Sequence, residues 1–308
     1  MNNELQIIVD NFKNEFKFMT YNVDQAMREE KFEDTKWCNR KNRIEKLIKE
    51  VDADILCLQE FRQLPDNESV NKFLSNFDEY KYEIDYRNPS RLSFGQVIMY
   101  KSSKFYPIQK IKKWLSSTPD QVSDDFSISA GGTTGFGYIL TGIEFAPVCD
   151  NKIVFNAERF WIFNTHFGLE EELKTKSCHT LKNLIKDIAK DQQFILSGDF
   201  NLFPDKNAEC QRSILCNYNF EMNDLAKGAK TLNGTSVEGT FIGYDHDAFK
   251  SDLNNMKSRL DHIFGSNKIK CENPTLYTKT MLDVEPDELT TRLYPSDHLP
   301  IVANITIN

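Results

Sequence analysis

The stretch Leu196-Ser197-Gly198-Asp199-Phe200-Asn201-Leu202-Phe203 decides how this chain is read. Just upstream, Phe194-Ile195-Leu196 is a short apolar run of the kind a buried strand makes. The run stops at Gly198, and two polar side chains then bracket Phe200. In extended backbone, residues two apart face the same way. Asp199 and Asn201 are therefore expected to point together, with Phe200 anchored in the core. Gly198 is expected where a Cβ would obstruct a backbone turning beside a site. A strand that carries a carboxylate and a carboxamide to its own end predicts a site along a sheet edge.

The same arrangement recurs. Phe16 to Tyr21 alternates as a strand and is followed by Asn22. Asp54 to Glu60 is an apolar strand core ending in a carboxylate. Val97 to Tyr100 is a further strand, and Phe160 to Thr165 is one that ends at His166. Ile301, Ala303, Ile305 and Ile307 alternate after Pro300 as a closing strand. Amphipathic helices lie between them. Ile44, Leu47, Ile48 and Val51 mark one, and Leu181, Leu184, Ile185 and Ile188 mark a second. Strands interleaved with helices predict an α/β or α+β domain whose sheet layers are covered by helices. No repeat, low-complexity tract or linker divides the chain, so a single domain over 1–308 is expected, with its core at about residues 16–307. The four Gly and small polar residues of 121–137 predict a loop, either a surface insertion or a segment near substrate.

With 308 residues, 40% hydrophobic and 27% charged, the composition is that of a globular protein. A net charge of −8 disfavours unspecific coating of nucleic acid, while leaving room for a metal to supply positive charge. The seven Cys are odd in number and form no C-x-x-C pair, which suggests a reducing compartment rather than a disulfide framework or zinc site. The first residues contain acidic groups and no sustained apolar core, so neither a signal peptide nor membrane insertion is expected. The expectation is a cytoplasmic monomer.

Asp261 sits in "SRLDHIF", and Asp297 and His298 sit in "YPSDHLPIV". Glu60, Asp199, Asp261 and Asp297 would thus gather carboxylates at one edge, where like charges repel and call for a cation. Oxygen ligands fit Mg²⁺ or Mn²⁺ better than zinc. Taken singly, each residue has an ordinary reading. Asn22 suits a turn, Glu60 a solvated strand end, His166 a structural histidine, and Asp261 a partner for Arg259.

In order, "TYNV", "LCLQE", "NTHF", "LSGDFN", "SRLDHIF" and "PSDHLPIV" resemble the motifs of the endonuclease/exonuclease/phosphatase superfamily, with the DNase I-like fold. "KWCNRKNRIEKLI", "KKWLSSTPDQVS", "NTHFGLEEELKTKS" and "GTFIGY" are similar to a bacterial branch of it. The resemblance implies a four-layered αββα sandwich, two packed mixed sheets flanked by helices, with one active site at a sheet edge. It also implies a metal-dependent phosphoesterase that hydrolyses a phosphodiester or phosphomonoester by water attack. Glu60 would bind Mg²⁺ or Mn²⁺, with Asn22 and Asp297 completing its surroundings. Asp199 would activate the water and Asn201 would position it or the phosphate. His298, held by Asp261, and His166 would contact phosphoryl oxygens.

The substrate would be RNA, single-stranded DNA or a small phosphorylated molecule such as a sugar, inositol or nucleotide phosphate. A tyrosyl-DNA phosphodiesterase uses the same constellation. A non-catalytic binding module should have lost one of Glu60, Asp199, Asn201 or His298, and all are present. One departure concerns His166. Some superfamily nucleases support the matching histidine with an acid before the Val97–Tyr100 strand, and "LSFGQVIMY" has none, leaving Gln96 as the substitute. Arg40, Arg43, Arg87 and Arg91 are candidates to reach substrate. His179, His246 and His262 read as structural.

Overall fold

Three clusters of buried apolar side chains build the protein, and strand alternation decides which residue joins which. The computed structural model describes residues 6–25, 36–62, 68–88, 93–122, 129–130, 133–134, 137–203, 206–216, 222–232, 234, 236, 239–243, 258–278 and 295–307. The first half runs β1 (Gln6–Ile7), β2 (Asn14–Asn22), α1 (Trp37–Val51), β3 (Ile55–Arg62), α2 (Glu68–Leu74), β4 (Tyr80–Tyr86), β5 (Phe94–Lys101), β6 (Phe105–Trp114), β7 (Ser129–Ala130) and β8 (Thr133–Thr134). Then come β9 (Ile139–Cys149), β10 (Lys152–Val154), β11 (Phe160–His166), α3 (Glu171–Ala189), β12 (Gln193–Asp199), α4 (Lys206–Leu215), β13 (Met222–Asp224), β14 (Lys230–Thr231), β15 (Asp261–Ser266), β16 (Ile269–Leu276) and β17 (Ile301–Ile307). Every strand and helix expected from periodicity is present. Of the expected loop at 121–137, only fragments are described, and β7 and β8 within it pair as a small ribbon. The rest of that segment, Arg91 and His246 lie outside the described residues.

One sheet has the order β14-β16-β17-β2-β3-β5-β4, and the other β1-β10-β9-β11-β12-β15-β13 with β6 also on β9. Both are mixed. In the first, β2 runs parallel to β3; in the second, β11 runs parallel to β12. Phe16, Phe18, Ile55, Cys57 and Ile98 of the first sheet meet Phe145, Phe160, Ile162, Ile195 and Ile263 of the second. The alternate residues Met19, Tyr21, Leu56, Leu58 and Val97 turn away and cover Ile44, Leu47, Ile48 and Val51 of α1. On the far side, Trp161, Phe163, Leu196 and Phe264 cover Cys178, Leu181, Ile185 and Ala189 of α3. The result is helix, sheet, sheet, helix. Helix α1 stops at Asp52, which takes a left-handed φ of 49° and returns its N–H to the Ile48 carbonyl. Acidic Glu171 and Glu172 occupy the first turn of α3, where the helix dipole favours them.

A polar pair ties the sheets together inside this apolar layer. Gln59 of β3 donates to Asn164 Oδ1 at 2.8 Å, and the Asn164 amide donates to the Leu58 and Val97 carbonyls at 3.0 Å each. Buried amides are costly unless paired, and these fix how the sheets face one another. All seven cysteines are free thiols. Among the described residues no helix is long and apolar enough to cross a membrane.

Gly198 is required for a different reason from the one expected. Its φ is 146°, and a Cβ there would stand 1.8 Å from the Thr165 carbonyl on neighbouring β11, not in the site. Gly198→Ala therefore forces two adjacent strands apart. It is expected to destabilise by roughly 3 kcal/mol, at the upper end of overpacking costs, as read from urea denaturation; an unchanged midpoint would show that the strands yield freely.

Candidate active site

His166, Asp199 and Asp261 are direct neighbours across β11, β12 and β15. They share the strand face of Ile162, Ile195 and Ile263, so they point into the space between the sheets, at its edge. The first sheet supplies Asn22 from the end of β2, on the face of Phe16 and Phe18. Glu60 does not follow its strand's alternation. Counting from Leu56 and Leu58, it should face α1. Instead it takes a φ of 65°, and the pairing of β3 with β5 shifts register between Leu58 and Phe61. This bulge lets Phe61 rejoin the helix-facing cluster and turns Glu60 to the edge. A left-handed glutamate costs about 1–2 kcal/mol, a strain placed at a working residue.

Asn22 Nδ2 donates to Asp199 Oδ2 at 2.9 Å and to Glu60 Oε1 at 3.1 Å, while its Oδ1 accepts the Asp24 N–H at 3.0 Å. The Asn201 backbone N–H donates to Asp199 Oδ1 at 2.9 Å. His166 Nε2 stands 3.6 Å from both Glu60 Oε1 and Asp199 Oδ2. Asn201 Nδ2 lies 3.4 Å from that nitrogen and donates to the Phe167 carbonyl at 2.7 Å. His298 Nδ1 meets Asp261 Oδ2 at 2.8 Å, and its Nε2 lies 3.7 Å from Asp199 and 3.9 Å from Asp297. The eight residues singled out in the sequence thus converge around Asp199. Phe200 is buried against the rings of Phe167 and Phe264, as its position between Asp199 and Asn201 predicts.

Burial pushes the Asp199 carboxyl up to about 7, against the lowering influence of His298. For His298, burial disfavours the charge, but Asp261, Asp199 and Asp297 outweigh it and hold the imidazolium well above its usual range. His166 goes the other way. Burial, then the charges of Arg87 and His298, push it well below the usual value, so it is a neutral imidazole at pH 7. The site therefore sets one charged and one neutral histidine on opposite sides of a carboxylate.

Ligand atoms of Glu60, His166 and Asp199 lie within 4.8 Å of one another, as do those of Asp199, Asp261 and His298. In the second group, His298 is already bonded to Asp261. The first group brings two carboxylate oxygens and an imidazole nitrogen together and fits a divalent cation. Asn22 turns its amide nitrogen toward these carboxylates, and its oxygen is engaged by Asp24.

Several residues that hold the site were not anticipated. Arg40, a candidate for substrate contact, is buried and points inward. It donates to the Val23 and Pro295 carbonyls at 3.1 and 2.7 Å and to the Asp24 carbonyl, tying the loop after Asn22 to the loop before Asp297. Lys174 of α3 is 1% exposed and donates to the Asn201 carbonyl at 2.8 Å. Both could have been noticed as charges standing in the apolar stripe of an amphipathic helix. The segment 239–243 clamps the start of β15 to the loop that carries Asp297. Thr240 Oγ1 accepts the Leu260 and Asp261 N–H groups, and the Ile242 and Gly243 N–H groups reach the Asp297 carbonyl at 2.8 and 3.0 Å. The Phe241 ring lies 5.0 Å from that of His298.

Other expectations are corrected. Arg259 grips Asp224 with two bonds of 2.7 and 2.9 Å, leaving Asp261 to His298. Gln96 donates to the Ile139 carbonyl at 3.1 Å and does not support His166. His262 faces the other side of the sheet, stacked on Phe264, and His179 is exposed on α3, so both are structural.

The family model described as Endonuclease/Exonuclease/phosphatase family matches residues 19–298, a span containing all eight site residues. An uncharacterized protein, L388, of Acanthamoeba polyphaga mimivirus is 31% identical over 288 residues, covering 93% of this chain and 98% of its own length. An endonuclease/exonuclease/phosphatase family protein of Bacteroides thetaiotaomicron has a similar structure, with a TM-score of 0.74 at 20% identity, covering 96% of this chain and 99% of that one. A mannosyl-6-phosphatase of the same bacterium gives 0.73 at 21% identity, covering 94% and 98%.

Proposed function

Because the chain belongs to the endonuclease/exonuclease/phosphatase family, whose members hydrolyse phosphoesters, and has the DNase I-like sandwich, we propose that it is a Mg²⁺- or Mn²⁺-dependent phosphoesterase acting by direct water attack. One observation carries this reading. A buried carboxylate whose pKa is raised to about 7 stands 3.7 Å from an imidazolium that a second carboxylate holds in place.

Phosphoryl transfer asks the protein for positioning and charge neutralisation rather than covalent chemistry. Asp199, oriented by Asn22 and by the Asn201 N–H, takes the proton of the attacking water. A base poised near the working pH is the efficient choice. His298 donates from Nε2 to a phosphoryl oxygen, because its Nδ1 proton is committed to Asp261. Asn201 and the neutral His166 hold the phosphate from the other wall. Glu60 is the proposed principal metal ligand, with Asp297 completing its surroundings directly or through water, and Asn22, whose oxygen accepts the Asp24 N–H, holding Glu60 by its amide nitrogen. The bound cation would polarise the phosphate and offset charge on the leaving oxygen.

The net charge of −8 and the likeness to a mannosyl-6-phosphatase favour a small phosphate ester over long duplex DNA. RNA, single-stranded DNA and a tyrosyl-DNA linkage remain arms of the test. The reading takes the protein as one cytoplasmic domain acting as a monomer.

The test is a screen of purified protein against RNA, single- and double-stranded DNA, a tyrosyl-DNA conjugate, nucleotides, sugar phosphates and inositol phosphates. Activity is expected with Mg²⁺ or Mn²⁺, and its loss in EDTA; full turnover after exhaustive chelation would remove the metal from the mechanism. A second measurement needs no substrate. Millimolar Mg²⁺ or Mn²⁺ is expected to raise the melting temperature of wild type, more at pH 8 than at pH 5. The sign follows from Asp199, which is largely ionised above about 7 and protonated well below it. Glu60→Gln should abolish most of that shift, and an equal shift in the variant would remove Glu60 as principal ligand.

A further inference from the structure

We propose that Arg87 is the anion anchor that lets this site prefer a doubly charged phosphomonoester over a singly charged diester. The proposal rests on the phosphoesterase reading and names its substrate class. Arg87 follows the end of β4 and is fixed from several directions. Its N–H donates to the Phe94 carbonyl at 3.0 Å, and the Trp114 indole donates to the Arg87 carbonyl at 2.9 Å. The guanidinium lies over the Tyr138 ring at 5.0 Å and the Phe94 ring at 6.0 Å. Nη2 donates to the His166 carbonyl at 2.9 Å, which brings the charge to the wall of the site formed by His166 and Glu60.

The charge itself is not consumed. Arg40 lies near Asp24, and Arg259 pairs with Asp224. Among the described residues no carboxylate lies within 4.0 Å of Arg87, and its Nε is buried with no hydrogen-bond partner. Burial works against the cation, while Glu60 and Asp199 feel it from beyond contact distance. A half-buried guanidinium without a counterion is costly, and its planar fork matches phosphate geometry. Held between aromatic rings, it is also preorganised, so little is lost when an anion arrives. His298 serves the opposite wall, beside Asp261 and Asp297.

Coulombic attraction scales with the charge of the substrate. A loss of about tenfold on a monoanion then becomes about a hundredfold on a dianion. Arg87→Met is compared with wild type on p-nitrophenyl phosphate and bis-p-nitrophenyl phosphate in Mg²⁺, and by calorimetric binding of inorganic phosphate at pH 8. The expected result is a fall of at least about tenfold in the monoester-to-diester ratio of kcat/KM, with phosphate affinity weakened to a similar degree. Arg87→Lys keeps the charge but not the planar fork, so its ratio should fall between those of wild type and Arg87→Met. Equal loss on both esters or unchanged phosphate affinity in Arg87→Met would overturn the proposal and leave Arg87 as a brace for His166. If the Met variant does not fold, Arg87→Gln takes its place. If wild type cleaves neither ester, the phosphoesterase reading fails on these substrates, and phosphate binding still decides the role of Arg87.

Discussion

Asp199→Asn is expected to lower kcat/KM by about 10²–10⁴-fold, the range of a positioned general base, with the fold retained. The variant is nearly isosteric but keeps only one of the two acceptor oxygens, so it satisfies the Asn22 amide or the Asn201 N–H and not both. What disappears is the acceptor for the water's proton. Stability should move the other way. Burial raises the Asp199 carboxyl to about 7 from an ordinary value of 3.8. For a group raised on folding, the contribution is fully present below the unfolded value and is lost as pH climbs through the folded one. Metal-free wild type should therefore lose stability between about pH 4 and 7 on account of this group. Asp199→Asn should not, so the deficit left by its one lost hydrogen bond should shrink or reverse between pH 5 and pH 8. Wild-type turnover in the variant would sink the mechanism, and a collapsed melting temperature would recast Asp199 as a structural residue.

The second large effect concerns His298. Truncation to Ala removes a buried donor aimed at the phosphate and is expected to cost on the order of 10²–10³ in kcat. Asp261→Asn keeps the imidazole but removes the foremost influence that raises its pKa against burial. The imidazolium is then lost at lower pH. The alkaline limb of the rate profile should shift toward acid, with activity falling more at pH 8 than at pH 6. The accompanying stability term has the same sign, since a His raised on folding stabilises fully below 6.5 and progressively less as pH rises through its folded value. A rate profile unmoved by Asp261→Asn would show that His298 acts without its charge.

Strand-end residues were legible because each continues an apolar run whose alternation fixes the face it leaves on. Asn22, His166, Asp199 and Asp261 all keep that phase. Glu60 does not. Alternation alone would send it toward α1, and only its place in an ordered set of motifs marked it. The left-handed turn that redirects it has no compositional signal, since glutamate is a poor choice for that conformation. The strand β6 escaped because it pairs only with β9 and carries Pro107 and several Lys, residues an edge tolerates. The Gln59–Asn164 tie was invisible for another reason. Each residue reads as a polar member of its own strand, and nothing local says that the two meet across the sandwich. Gly198 stands out at the strand end, yet the atom a Cβ would meet there belongs to the next strand, which is known only once the sheet is assembled.

The placement of β17 has a consequence for how the molecule comes into being. It lies between β16 and β2, so Phe16 and Thr20 wait for partners almost three hundred positions downstream. Asn22 and Glu60 leave the ribosome early, but the strand that completes their sheet, and the Asp297–His298 pair just before it, come last in this order. A nascent chain that has not reached residue 307 carries most of the site as inert parts. Pairing of β17 with β2 is therefore what brings the first and last site residues together.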